Sequence, residues 1–285
     1  WVFYDETEAP DALWTYDSTN PGYPYPQIKG LPFEAYFPLA QDEEGYYLLN
    51  NLEDFKQITK ITNGLSSKYK ITADITGIDF SIDDFSGEII GWDTKTNKEA
   101  YRTLNISLTD EDIGTSNRLG LFNTLSGSAE ISYIQLKGTV NVSDTSKEAL
   151  NAGALAGYTT TNVVVSHIKN NVKINISGNN QYVGGIIGMC YGTISYSMND
   201  AEISSNGWVG GIVGQMSKDR AVLTGLVNHG EIKGAYVGGI IAYARNPFHL
   251  NNSYNNGAIT GSASANGLLG AYHDRIAGYP TPAAA

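Results

Sequence analysis

V-G-G-I-I-G at 183–188 returns as V-G-G-I-V-G at 209–214 and as V-G-G-I-I-A at 237–242. Weaker copies stand at 152–157 (A-G-A-L-A-G) and 265–270 (A-N-G-L-L-G), with an outlying version, R-L-G-L-F-N, at 118–123. Successive copies start 34, 31, 26, 28 and 28 residues apart. Asparagine keeps the same beat. Asn170, Asn199, Asn228 and Asn255 each lie four residues before an isoleucine: Ile174, Ile203, Ile232 and Ile259. Two markers that share one period of this length point to a solenoid.

One unit reads as three short strands and three turns. G-G-I-I-G is an apolar strand whose glycines allow close backbone approach at a corner. T-I-S-Y-S-M before Asn199 supplies a second strand. The Asn marks a turn, because it tolerates left-handed backbone geometry. E-I-K at 231–233 and A-I-T at 258–260 are alternating third strands. No unit can bury its own apolar face, so units must stack, ~4.8 Å apart. The expected fold is all-β: a parallel β-helix with three-strand coils of about 28 residues. Asn over Asn should then form a side-chain amide ladder inside a turn.

The V-G-G-I-I-G and V-G-G-I-V-G cores, with N-x-G-x-I about 20 residues on, resemble the GLUG-type repeats of bacterial surface proteins. Such repeats also occur near the N-terminal region of IgA-specific metallopeptidases. Upstream, Y-Y-L-L-N-N-L-E-D-F-K-Q-I at 46–58, Y-K-I-T-A-D-I at 69–75 and F-S-G-E-I-I-G at 85–91 are similar to the way these solenoids begin. The resemblance covers roughly 46–275. It implies a right-handed parallel β-helix, export, and a role in adhesion or surface display. The chain departs from the pattern at 91–96, where G-W-D-T-K-T replaces the family's usual G-N-G-H-x-I.

Composition agrees with stacked β-structure. Charged residues are 16% of the 285, so the polar surface must come from Asn, Ser, Thr and Gly. Net charge is −11, which repels phosphate backbones and anionic lipid, so neither nucleic acid nor membrane is an expected partner. No apolar stretch reaches the ~20 residues of a membrane span. Cys190 is the one cysteine, so no internal disulfide forms. No signal peptide stands at Trp1; composition and repeat favour a mature or trimmed exported chain over a cytoplasmic one.

Four segments are expected: 1–45, 46–86, 87–275 and 276–285. Residues 1–45 hold ten aromatics and six prolines, which forbid long regular structure without suggesting disorder. L-W-T-Y-D-S-T-N-P-G-Y-P-Y at 13–25 resembles a closing signature seen after such repeats, so this segment reads as an extended piece along the solenoid or the tail of a preceding module. Within 46–86 a short amphipathic helix over 51–63 should cover the N-terminal end of the solenoid. Asn51 is its N-cap, with Asp54 three residues on. Leu52, Phe55, Ile58 and Ile61 form its apolar stripe, and Gly64 stops it. Residues 87–275 are the β-helix proper and 276–285 a tail.

Tyr182, Trp208 and Tyr236 each directly precede a V-G-G and should stack on successive coils. Such a ladder either offers aromatic faces to the C–H faces of sugars or staples a corner by burying area. Asp83–Asp84 and Asp110–Glu111–Asp112 lie in expected loops; neither has a calcium-loop spacing, so solvated loops are the ordinary reading. His167, His229, His249 and His273 are scattered turn or surface residues, His249 in an irregular insert, without metal-ligand spacing. Asp200 and Glu231 could approach on adjacent coils, but Asp200 aligns with His229 and Asn256 at a turn rather than forming a catalytic pair. Cys190 reads as a small buried apolar residue.

The expectation is a non-catalytic, extracellular binding module or adhesin of a bacterial surface, monomeric, without cofactor or metal. Its partner would be a glycan or a host or cell-surface protein, met on Tyr182, Trp208 and Tyr236. A structural stalk that displays another domain is the first alternative. A carbohydrate-active β-helix enzyme is the second.

Overall fold

The computed structural model describes residues 14–15, 27–28, 39–144, 149–178 and 181–272. The chain divides between Ala40 and Gln41. In the first unit, Trp14–Thr15 pairs antiparallel with Gln27–Ile28. The rest of segment 1–45 up to residue 38, and the tail 276–285, lie outside the described residues.

The second unit is an all-β parallel β-helix. Seven strands, one per coil, form one parallel sheet: Ile82–Phe85, Phe122–Leu125, Ala156–Thr159, Ile187–Cys190, Val213–Met216, Ile241–Ala244 and Leu269–Tyr272. The remaining strands join a 21-stranded sheet. Its parallel ladders reach back below residue 87: Tyr47–Leu49 pairs with Lys68–Ile71, and Lys68–Ile71 with Glu88–Asp93.

A single coil shows how the repeat is built. V-G-G-I-I-G is not one strand. Tyr182–Gly184 and Ile187–Cys190 lie in different sheets, with a bend at 185–186 between them. T-I-S-Y-S-M is divided too. Thr193–Ser195 and Met198–Asn199 are separated by Tyr196, whose φ of 48° is left-handed. Ile203–Ser205 completes the circuit. Earlier coils run the last three pieces together as Glu130–Val142 and Val164–Ile176, held by twelve register pairs.

The asparagines do form the ladder. Nδ2 of Asn170 donates to Oδ1 of Asn199 at 2.7 Å, Asn199 to Asn228 at 2.7 Å, and Asn228 to Asn255 at 2.6 Å. The second amide hydrogen of Asn199, Asn228 and Asn255 goes to the carbonyl two residues on, at 2.9–3.0 Å. Asn170, Asn199 and Asn228 are fully buried. A buried amide is tolerated only when its donors and acceptors are met, and here each residue's turn and next coil meet them. Around the ladder the core is columns of like residues, such as Val183, Val209 and Val237, and Ile174, Ile203 and Ile232, all fully buried.

At the N-terminal end the helix is shorter than its apolar stripe suggests. Leu52–Lys56 is α-helical, then Gln57–Thr59 tightens to 3-10. The β-branched run I-T-K-I-T at 58–62 disfavours further α-helix. Asn51 caps as expected, accepting from the Asp54 amide at 2.9 Å. Asp54 reaches back one residue further, to the Asn50 amide at 2.8 Å. Gly64 does not stop the α-helix; it opens a second 3-10 turn, Gly64–Ser66. Phe55 and Ile58 are fully buried.

The departure at 91–96 is a hairpin. Trp92 pairs antiparallel with Glu99 and Asp93 with Lys98. Its Trp92 ring covers Lys70, which is 4% exposed. Nζ of Lys70 sits 4.1 Å from the Trp92 ring centre, 4.6 Å from that of Tyr46, and 2.7 Å from a carboxylate oxygen of both Asp42 and Glu44. Burial works to lower the ammonium's pKa, but the two carboxylates outweigh it and hold it above the ordinary lysine value.

Candidate binding site

The strand that opens each V-G-G repeat alternates its side chains. Val183, Val209 and Val237 point inward, so the residues before them point outward. Register pairs Tyr182 with Trp208 and Trp208 with Tyr236. The structure brings all three expected residues together. Trp208 and Tyr236 stack with centroids 4.1 Å apart and planes 13° from parallel. Tyr182 and Trp208 stack more loosely, at 6.3 Å and 26°.

This geometry constrains what the column can offer. The rings lie one on another along the solenoid, so their faces are turned to each other and their edges to solvent. Tyr182 and Trp208 are half-buried, and Tyr236 is 37% exposed. Burial raises the Tyr182 phenol above its ordinary pKa. Below Tyr182 the column continues through Asn151 to Arg118, and above Tyr236 it continues to Ser264.

Tyr243 joins the site from the neighbouring sheet and was not foreseen. Its ring lies 5.2 Å from Trp208 and 6.0 Å from Tyr182. It is the part-exposed residue of Ile241–Ala244, set between the buried Ala242 and Ala244, where strand alternation turns a side chain outward. In the same sheet Tyr158 carries the Arg118 guanidinium, 3.8 Å from its ring centre.

A second aromatic column was missed. Tyr133, His167 and Tyr196 stack at 4.5 Å and 5.3 Å, with Tyr101 edge-on to Tyr133 at 5.8 Å. Each of the three has positive φ, between 48° and 58°. The signal was their place three residues before the ladder position in each coil, and it was obscured because tyrosine and histidine differ as letters. His167 is thus a stacking residue, its Nδ1 buried without a partner.

Asp200 does align with His229 and bonds it, Oδ1 to Nδ1, at 2.8 Å; Nε2 of His229 faces the Tyr254 hydroxyl at 3.4 Å. Glu231 pairs with Lys233 at 3.0 Å. Asp83 and Asp84 lie in the strand Ile82–Phe85 and not in a loop, because Ile82 and Phe85 fill the core on either side of them. Asp110–Asp112 is a 3-10 turn capped by Thr109. His249 lies in the strand Phe248–Asn251, paired with Ala221–Thr224, where an irregular insert was expected. His273 lies outside the described residues. Cys190 is fully buried, and burial pushes its thiol up to about 11. Among the described residues no three His, Cys, Asp or Glu side chains gather as a metal site, and no helix is long and apolar enough to cross a membrane.

No family model, curated protein or solved structure matches this chain.

Proposed function

We propose that this chain is a non-catalytic binding module of a bacterial cell surface, an adhesin akin to the GLUG-type repeat proteins, that contacts glycan on the Tyr182–Trp208–Tyr236 column. The observation that carries the reading is Tyr236. One face of its ring is fixed on Trp208, centroids 4.1 Å apart, and the residue is 37% exposed, in register with Ser264, a small residue. A rigid aromatic with a free face is suited to the apolar C–H face of a pyranose, because little conformational entropy is lost on contact. The solenoid beneath it acts as a stiff mount. The module works as an extracellular monomer without a cofactor.

A glycan array tests this, run on the purified chain beside Tyr236→Ala and the Trp208→Ala, Tyr236→Ala double variant. Binding that is lost in Tyr236→Ala while thermal stability holds supports the reading. Absence of binding in the parent chain overturns it.

One observation favours a second reading, a structural stalk. The faces of Tyr182 and Trp208 are turned toward neighbouring rings, as a corner staple requires. On that reading the double variant melts at lower temperature and no glycan binds the parent chain.

A further inference from the structure

We infer that the site takes a single sugar residue, the terminal residue of a neutral glycan, and does not track a glycan along the solenoid. This rests on the glycan reading above and narrows its ligand class.

The direction of the rings limits what they can hold. A platform that follows a polysaccharide needs several aromatic faces side by side. Here three rings are piled face on face, so the pile has only its two ends. The lower end, below Tyr182, continues into Asn151 and is flanked by Tyr243. The upper end is Tyr236. Among the described residues Trp208 is the one ring that contacts it. The next coil is ~4.8 Å above, the stacking distance of a sheet, and brings a hydroxymethyl group rather than a ring.

The last coil also makes room. Gly234 pairs with Gly261, but Tyr236 pairs with Ser264, so the upper strand carries one extra residue between the two pairs. A bulge of this kind bends a strand and re-aims its side chains. It sets Ser264 against Tyr236 and Asn266 against Gly238 on the next coil; the Asn266 amide donates to Ser264 at 3.3 Å and to the Gly270 carbonyl at 2.8 Å, leaving its oxygen to accept. Hydroxyl and amide groups can exchange hydrogen bonds with sugar hydroxyls and carry no charge to hold a carboxylate or sulfate. One pyranose covers one ring. A longer glycan must therefore leave toward solvent after its first residue.

Two measurements test this. A printed array of neutral and acidic glycans selects the sugar, and its mono-, di-, tetra- and hexasaccharides are then titrated against the full chain. We expect a neutral terminal sugar, with Kd changing less than about threefold from disaccharide to hexasaccharide. Tightening of tenfold or more with length would overturn the single-residue site while leaving glycan binding intact. Selection of acidic glycans alone overturns the neutral assignment. No binding on the array removes the glycan reading and this inference together. The second measurement is Ser264→Tyr, which sets another ring over Tyr236 and continues the pile. Binding should fall at least tenfold with no loss of thermal stability. Undiminished binding in a folded Ser264→Tyr variant overturns the end-on site.

Discussion

A β-carbon built on Gly211 would stand 2.6 Å from Cγ of Asn228. The second glycine of V-G-G and the ladder asparagine of the same coil therefore occupy one piece of the interior. The same holds for Gly239 against Asn255, at 2.6 Å, and for Gly185 against Asn199, at 3.0 Å. Two sequence markers 14 to 17 residues apart keep one period because they touch. Gly211→Ala should therefore lower stability by about 2–3 kcal/mol through overpacking on Asn228 and on the Gly239 carbonyl oxygen, which lies closer still, against the gain expected when a glycine of ordinary geometry becomes alanine. Urea unfolding of the variant beside the parent measures it, and a neutral or stabilising result would show that both the ladder and the Gly239 backbone of the next coil can shift.

Asn228 donates to Asn255 and to the Gly230 carbonyl and accepts from Asn199, all within the core. Asn228→Ala leaves the Asn199 amide without its acceptor and opens a cavity, a cost of about 3 kcal/mol. Asn228→Asp keeps the acceptor but loses both donors and sets a carboxylate against the Asn255 and Gly230 oxygens. That variant should be the worse of the two at pH 7 and recover part of the gap as the carboxyl protonates in acid. Thermal melts at the two pH values distinguish them.

These ladders were legible because each is written with one letter at one position per coil. Val, Ile and Asn columns sit directly above one another, so periodicity in the sequence is stacking in space. The aromatic column Tyr182, Trp208, Tyr236 could be read for the same reason. What could not be read was geometry within the coil. Nothing in V-G-G-I-I-G says that the chain bends at 185–186 and changes sheet. Nor does the order of letters reveal that ring faces cover each other, which turns a run of platforms into one with a free end. The Tyr133, His167, Tyr196 column depends on backbone φ, and Tyr243 reaches the site from the other sheet. The Lys70 cluster is assembled from segments near 42, 70 and 92, which share no repeat.

That cluster predicts a pH response at the N-terminal cap. Burial acts to raise the Asp42 carboxyl, but the Lys70 ammonium and the amides of Tyr46 and Glu44 outweigh it and hold it below its ordinary 3.8. A lowered folded pKa gives stability that is present above 3.8 and is lost as pH falls through the folded value. Lys70 has the opposite sign: its contribution is present below the ordinary 10.5 and is lost only as pH rises through a higher value. Lys70→Met should therefore cost about 2 kcal/mol at pH 7, less than a fully buried pair because Glu44 remains in water. The difference from the parent should shrink below pH 3.8. Urea unfolding of both proteins at the two pH values checks it; a difference that persists in acid would mean that packing on Trp92 and Tyr46, not charge, is what Lys70 supplies.

The left-handed corner offers a cleaner test, because strain and contact can be separated there. Tyr133, His167, Tyr196, Gly225 and Asn252 occupy equivalent places and all have φ between 48° and 68°. A β-carbon on Gly225 would stand 2.8 Å from Cδ1 of Tyr196, so the glycine lets that ring lie over the next coil. Gly225→Ala should cost the left-handed strain, ~1 kcal/mol or more, together with the displaced ring. Tyr196 is 56% exposed and can swing outward, which limits the second part. In a Tyr196→Ala background the ring is gone, and Gly225→Ala should cost the strain alone. The double-mutant cycle should thus return a coupling of at least ~0.5 kcal/mol. Gly225→Asn should be better tolerated than Gly225→Ala in both backgrounds, since asparagine accepts this backbone and Asn252 already adopts it one coil on, at φ 49°. If Asn and Ala cost the same, the corner is governed by the ring contact and not by the backbone.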